Sequence, residues 1–262
     1  MSVTTPILAI FLAICITLGH GKTPNKISGG ELCPPYSNNF VVSLRVEGKH
    51  ICGGSLIDTH HVLTAASCLV LEKNIIQNNV KVLVGTHELN NPSMGQVYGV
   101  DIIVVHQGYD CTNLWADDIA ILKLTPPDLK KPNENMPNAE WVAHLPWNGD
   151  IQPESVGIIS GWGVTDPATQ VLETYLRRAE VSVITNEECN RAYGAIGLGQ
   201  FCAVNRLTGH TILAGDSGGP LVAKDCDVLL YGIQSWGSNT SPGVFTKVHH
   251  YLQWISDTLA RY

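Results

Sequence analysis

The residues with the clearest chemical potential form one hexapeptide, Gly215-Asp216-Ser217-Gly218-Gly219-Pro220. Glycines on both sides let the backbone make a tight turn that points its amide hydrogens inward. A serine at the centre of such a turn is exposed, and the N–H groups of Gly215 and Ser217 can bind an oxyanion. That combination suits acyl transfer to a serine hydroxyl. A plain glycine-rich turn accounts for a single Ser-Gly pair, but less easily for six such residues in order. The hydroxyl also needs a base to take its proton. The histidines His50, His87, His106, His144, His210, His249 and His250 are scattered along the chain and read as surface or cap residues.

The elements that must position this turn are strands. Runs rich in Val and Ile recur at Phe40–Val46, His61–Thr64, Val80–Val84, Val100–Val105, Ile119–Leu124, Val156–Ser160, Val181–Ile184, Leu229–Ser235 and Gly243–Val248, with Gly, Pro, Asn or Asp between them. This rhythm predicts an all-β sandwich or barrel. Only the tail reads as a helix: from Val248, the residues Tyr251, Leu252, Trp254, Ile255 and Leu259 fall on one apolar face. Five prolines between Thr125 and Pro146 mark the best linker, dividing the chain into two β halves. No internal repeat is readable.

Composition narrows the function classes. With 15% charged and 44% hydrophobic residues, the chain can build a core and is not disordered. Its 25 Gly and 14 Pro follow no period, which excludes collagen. A formal charge of −7 argues against a nucleic-acid binder. Ile7–Leu18 is apolar apart from Thr17 and is followed by Gly19 and Gly21, so residues 1–21 read as a signal peptide. The stretch is too short to span a bilayer. A buried N-terminal helix is the alternative, and Met1–Pro6 lacks the usual basic residue. The expectation is a secreted, extracellular protein without a membrane anchor. Of eight cysteines, Cys15 leaves with the leader, so an odd number remains and at least one thiol is free or pairs with another molecule.

The hexapeptide occurs with Ser160-Gly161-Trp162-Gly163, Asp118-Ile119-Ala120-Ile121-Leu122, Cys52-Gly53-Gly54-Ser55-Leu56-Ile57 and Leu63-Thr64-Ala65-Ala66-Ser67-Cys68. Together these resemble the trypsin-like serine proteases, in order from Ile27 to the terminal helix. The resemblance implies two six-stranded antiparallel β-barrels and a C-terminal helix, with the cleft between the barrels. It divides the chain into residues 27–138 and 139–262, after a short propeptide at 22–26. It further implies disulfides Cys52–Cys68 and Cys189–Cys202, leaving Cys33, Cys111 and Cys226 without assigned partners. Lys26-Ile27-Ser28-Gly29-Gly30 stands at the family's activation site. The implied event is cleavage after Lys26, freeing an Ile27 ammonium to pair with Asp216 and order the turn. An uncut leader is the alternative.

The sequence departs from the family at one decisive position. The family's base is the His of Thr-Ala-Ala-His-Cys, and here Ser67 stands in its place. Asp118, whose implied role is to orient that imidazole, has nothing to orient. Losing one triad member costs on the order of 10⁴- to 10⁶-fold in turnover. His60 and His61 are too far along the chain to substitute readily, since a base must come within about 3 Å of the hydroxyl. The specificity pocket differs as well: Thr211 replaces the acid of trypsins, Ile212 is bulky, Leu213 replaces a cysteine, and the loop between Gly237 and Gly243 has no cysteine to pair with. Asn239-Thr240-Ser241 is a glycosylation sequon, or a plain polar turn.

The expectation is therefore a secreted inactive serine protease homologue, with Ser67, Asp118 and Ser217 as a degenerate triad, working by binding a protein partner. Lys-Ile-Ser-Gly-Gly and the missing His also resemble inactivated paralogues of mite group 3 trypsin-like allergens. That likeness implies interference with a host protease cascade such as complement. The alternative is a residual serine hydrolase in which Ser217 works with an unconventional base. No metal and no cofactor are expected.

Overall fold

The computed structural model describes residues 30–34, 37–91, 95–125, 141–147, 149–164, 171–206, 215–224, 228–237 and 241–262. The leader, the Lys26–Ile27 junction, Thr211, Ile212, Leu213, Cys226 and Asn239 lie outside the described residues.

Two closed antiparallel β-barrels carry the chain. The first contains β2 (Val41–Val46), β3 (Lys49–Leu56), β4 (His61–Thr64), β5 (Lys81–Val84), β6 (Gln96–Val105) and β7 (Ala120–Thr125), ring-ordered β2-β3-β4-β7-β6-β5. The second contains β8 (Val156–Gly161), β9 (Arg177–Ile184), β10 (Gln200–Val204), β11 (Pro220–Ala223), β12 (Leu230–Trp236) and β13 (Gly243–Lys247). Its order is β9-β10-β13-β12-β11-β8, and pairing of β8 with β9 closes the ring. A two-residue strand, β1 (Glu31–Leu32), adds to the β9 side through Glu31 opposite Arg178.

All nine strand runs read from the sequence are strands here. Those missed are β1, β3, β10 and β11. β3 carries Cys52-Gly53-Gly54, residues depleted from strands. Its real signal is Glu47-Gly48, both at positive φ (50° and 76°), the two-residue turn that matches strand twist and joins β2 to β3. Also missed is α1 (Asn186–Tyr193), too short and polar for periodicity, with Cys189 as its buried residue. Thr185 marks its start by accepting from the Glu188 amide at 3.2 Å.

The apolar interior falls into clusters, the largest of which spans both barrels. Leu44, Leu56, Leu63, Ile121 and Leu122 of the first barrel belong to one apolar cluster that also takes in Val222, Leu230 and Ile233 of the second, while Ile159, Val181, Leu221 and the stacked pair Phe201 and Phe245 form another within the second. The tail differs from the sequence reading in two ways. Val248–Tyr251 is a 3₁₀ turn, and α2 proper runs Leu252–Arg261. Although it follows the second barrel in sequence, α2 packs on the first: Trp254 lies against His106 (ring centroids 5.2 Å), and Lys123 of β7 donates to the Tyr262 carbonyl. Burying that helical stripe needs an apolar surface, which the outside of the first barrel supplies.

Disulfides Cys52–Cys68 and Cys189–Cys202 are both formed. Cys111 is disulfide-bonded as well. Among the described residues the free thiol is Cys33, and it is buried.

Candidate active site

The hexapeptide turn is held by both barrels. Gly53 of β3 donates its amide to the Ser217 carbonyl at 2.8 Å, and Gly218 donates to the Gln234 carbonyl of β12 at 2.7 Å. Gly215 and Gly218 sit at φ +93° and +82°, where side chains are strained. A Cβ on Gly218 would also stand 2.3 Å from Thr64 Oγ1 and 2.5 Å from the Gly53 carbonyl oxygen. Only bare backbone fits this junction. Neither the Gly215 nor the Ser217 amide donates to a backbone acceptor among the described residues, and these two are the donors the turn offers an oxyanion. The half-buried Ser217 hydroxyl is 3.5 Å from the Ser235 carbonyl oxygen, a contact too long to commit it.

His50 braces the turn from behind. Its Nε2 lies 2.8 Å from the Gly215 carbonyl oxygen and its Nδ1 lies 2.8 Å from Ser43 Oγ. A carbonyl only accepts, so Nε2 carries the proton and Nδ1 accepts from the serine hydroxyl. Burial pushes the imidazole down to about 4, keeping it neutral. Reading His50 as a surface or cap residue is thus corrected: the first-barrel wall faces the second barrel here, which β-strand alternation alone does not reveal. His61 and His60 stay at the head of β4, on Asp58 (2.8 Å) and Thr59 (2.8 Å). His106 packs between Tyr251 and Trp254. Among the described residues no histidine hydrogen-bonds to Ser217 or Asp118.

Asp118 does have something to orient. Its carboxylate accepts the Ser67 amide at 2.7 Å on Oδ1 and the Ser67 hydroxyl at 2.9 Å on Oδ2. The Ser235 hydroxyl also donates to Oδ2. Thr246 Oγ1 donates to the Asp118 carbonyl at 2.8 Å. Burial raises the Asp118 carboxyl above the usual range, and the hydrogen bonds from Ser235 and Ser67 oppose that rise. The expectation that Asp118 had lost its partner overlooked that a serine in the 3₁₀ turn Ala66–Cys68 offers two donors to the same carboxylate.

Asp216 is fully buried beside the turn. Oδ1 accepts the Gly163 amide at 2.8 Å, whereas Oδ2 has no partner among the described residues. Desolvation pushes its carboxyl up to about 7. The Ser160-Gly161-Trp162-Gly163 motif has its physical explanation here, since a Cβ on Gly161 or Gly163 would collide with the Asp216 carboxyl group.

Of the altered pocket, Gly237 and Gly243 are described. A Cβ on Gly237 would lie 3.2 Å from Gly243 Cα, so this wall is backbone against backbone. The sequence reading missed three aromatic residues beside it: Trp236, with ring centroids 5.5 Å from Trp115 and 4.7 Å from Tyr193. They are far apart in sequence and no local pattern links them. Among the described residues no cluster of His, Cys, Asp or Glu could hold a metal ion.

Comparison with known proteins gives one consistent result. A family model described as Trypsin matches residues 27–255. A Squalus acanthias protein named Trypsin is 34% identical, covering 90% of this chain and 97% of that one. Human Kallikrein-15 is 31% identical over 97% of this chain and 99% of its own length. The Clotting factor G beta subunit of Tachypleus tridentatus is 32% identical over 91% of this chain and 81% of that protein. A solved structure of neuropsin, a serine protease expressed in the limbic system of mouse brain, aligns with TM-score 0.76 and 31% identity, over 88% of this chain and 99% of that one. These full-length likenesses to proteins named as trypsins and a kallikrein point to an active protease. They overturn the expectation of an inactive homologue.

Proposed function

We propose, since the chain belongs to the trypsin family of serine proteases, that it is a serine hydrolase of peptide and ester bonds in which Ser217 is the nucleophile and Asp118 is the base, acting through Ser67. The observation that carries this reading is the double hold of Asp118 on Ser67, amide at 2.7 Å and hydroxyl at 2.9 Å. A carboxylate raised by burial is a better proton acceptor than an ordinary one.

In the proposed reaction Ser217 Oγ attacks the carbonyl carbon. Its proton passes, across a bridging water, to Ser67 Oγ as the Ser67 proton passes to Asp118 Oδ2. The substrate oxygen takes the negative charge and is met by the Gly215 and Ser217 amides. Collapse breaks the bond to the leaving group, which leaves with the proton returned along the same path. Water then hydrolyses the acyl-enzyme by the same steps. A carboxylate is a weaker base than imidazole, so esters, with their better leaving groups, turn over faster than amides.

Two further readings accompany this one. The Oδ2 of buried Asp216, unpartnered among the described residues, supports activation by cleavage after Lys26, which would deliver the Ile27 ammonium to that oxygen. Disulfides Cys52–Cys68 and Cys189–Cys202 support secretion into an oxidising compartment. Among the described residues no helix is long and apolar enough to cross a membrane.

The test is burst and steady-state turnover of activated peptide esters by protein beginning at Ile27, with fluorophosphonate labelling of Ser217. Wild-type turnover lost in both Ser217→Ala and Ser67→Ala supports the relay. Turnover lost in Ser217→Ala but unchanged in Ser67→Ala removes Ser67 from the mechanism. Wild-type turnover equal to that of Ser217→Ala refutes the reading.

A further inference from the structure

Asp118 stands on a backbone that its own segment would not adopt unaided. Asp117, immediately before it, has φ of 51°, in the left-handed region that non-glycine residues avoid. The Ile119 amide donates to the Asp117 carbonyl at 2.8 Å, so Asp118 is the middle residue of a tight three-residue turn. The direction of the Asp118 side chain therefore follows the setting of Asp117. A residue held in that region needs an outside tether.

The tether comes from beyond the second barrel. Tyr251, which ends the 3₁₀ turn after β13, donates its hydroxyl to Asp117 Oδ1 at 2.7 Å. Two glycines make room for this bond. A Cβ on Gly108 would stand 2.2 Å from Asp117 Oδ2, and a Cβ on Gly199 would stand 2.1 Å from the Tyr251 hydroxyl. Burial, and then the bond to Asp117, raise the Tyr251 phenol, so it stays protonated as the donor. His106 does not compete for the carboxylate. Its Nδ1 lies 3.8 Å from Asp117 Oδ2 and instead accepts the Gly108 amide at 3.1 Å. Burial holds that imidazole below its ordinary range, with Asp117 opposing the fall and His250 adding to it. Tyr109 also stands close enough to feel the Asp118 charge.

We propose that Tyr251 and Asp117 form a clamp that positions Asp118, keeping its carboxylate on Ser67 in the geometry the proposed reaction uses. Both are positioning residues, because they act through Asp118. The effect on rate rests on the reading of Asp118 as base, whereas the effect on geometry does not.

The test reads geometry and rate separately, in protein beginning at Ile27. Geometry is read in the Ser217→Ala background from the NMR resonance of the Ser67 amide proton, which the 2.7 Å bond to Asp118 shifts downfield. Tyr251→Phe lacks the donor and moves that resonance upfield. Asp117→Asn, whose amide oxygen still accepts from Tyr251, leaves it near the wild-type position. Gly199→Ala needs no positive φ and pushes the hydroxyl off Asp117, so it reproduces Tyr251→Phe and serves where that variant fails to fold. With Ser217 present, Tyr251→Phe lowers kcat for peptide esters about 10- to 100-fold with KM within about threefold, while Asp117→Asn keeps kcat within about threefold. Weakened bonds from Ser235 and Ser67 no longer oppose the burial of Asp118, so the acid limb of the kcat profile moves to higher pH in Tyr251→Phe. An unchanged Ser67 resonance in folded Tyr251→Phe or Gly199→Ala overturns the clamp, as does a loss in Asp117→Asn equal to that in Tyr251→Phe. A shifted resonance with kcat and acid limb unchanged overturns its part in catalysis. A shifted resonance with no wild-type turnover supports the clamp and refutes the hydrolysis reading alone.

Discussion

Replacing Ser67 by histidine tests the site most directly. The Ser67 amide already lies 2.7 Å from Asp118 Oδ1, so the backbone stands where an oriented base would need it. An imidazole there can donate Nδ1–H to Oδ2 in place of the serine hydroxyl, which now donates at 2.9 Å. The Ser235 hydroxyl on the same carboxylate stays in place. Ser67 is half-buried rather than sealed in the core. A positioned general base contributes about 10²–10⁴-fold. With the acceptor preformed, Ser67→His should raise kcat on the order of 10³-fold, about 4 kcal/mol of barrier. KM should stay within about threefold, because no pocket residue changes. Initial rates on a peptide-ester panel, with active sites counted by fluorophosphonate, give both constants. The pH profile supplies an independent check. Wild-type activity needs ionised Asp118 and should fall as pH drops through its raised value. In Ser67→His the acid limb should move to the imidazole range, near about 6.5. A gain that survives in Ser67→His combined with Ser217→Ala, or no gain at all, would refute the placement of Asp118 and the oxyanion turn argued above.

Three more outcomes are expected. Asp216 is held up to about 7 in the folded chain against an ordinary 3.8, so the native state binds the extra proton. Its contribution to stability is full below about 4 and is lost as pH rises towards 7, by about 4 kcal/mol at most; urea titrations of the uncleaved chain should show this decline, and Asp216→Asn should flatten it. His50→Phe removes the donor to Gly215 and leaves the Ser43 hydroxyl unpaired, so chemical denaturation should show a loss of about 1–3 kcal/mol, with a fall in kcat larger than any change in KM. The Cys33 thiol, buried and pushed up to about 12, should resist iodoacetamide at pH 8 in the folded protein and react once it is denatured, as read by mass spectrometry.

The sequence by itself determined nine of the strands, the oxyanion turn and the family. Alternating Val and Ile runs, the Gly215–Pro220 hexapeptide and the two implied disulfides are all signals carried by neighbouring residues or by motifs in order. Short-range physics also explains the misses: Glu47-Gly48 and Thr185-x-x-Glu188 announced β3 and α1, but a glycine-rich strand and an eight-residue helix lack the periodicity that reveals longer elements. What only the tertiary structure decided are the contacts between residues 51 to 165 positions apart. Asp118 reaching Ser67, His50 bracing Gly215 and Gln200 gripping Leu114 all depend on how one barrel wall meets its neighbour. The sequence suggested an abandoned acid at Asp118 because it showed a missing imidazole. Folding supplied another donor to the same carboxylate, since a buried acid must find hydrogen bonds wherever the packed chain provides them.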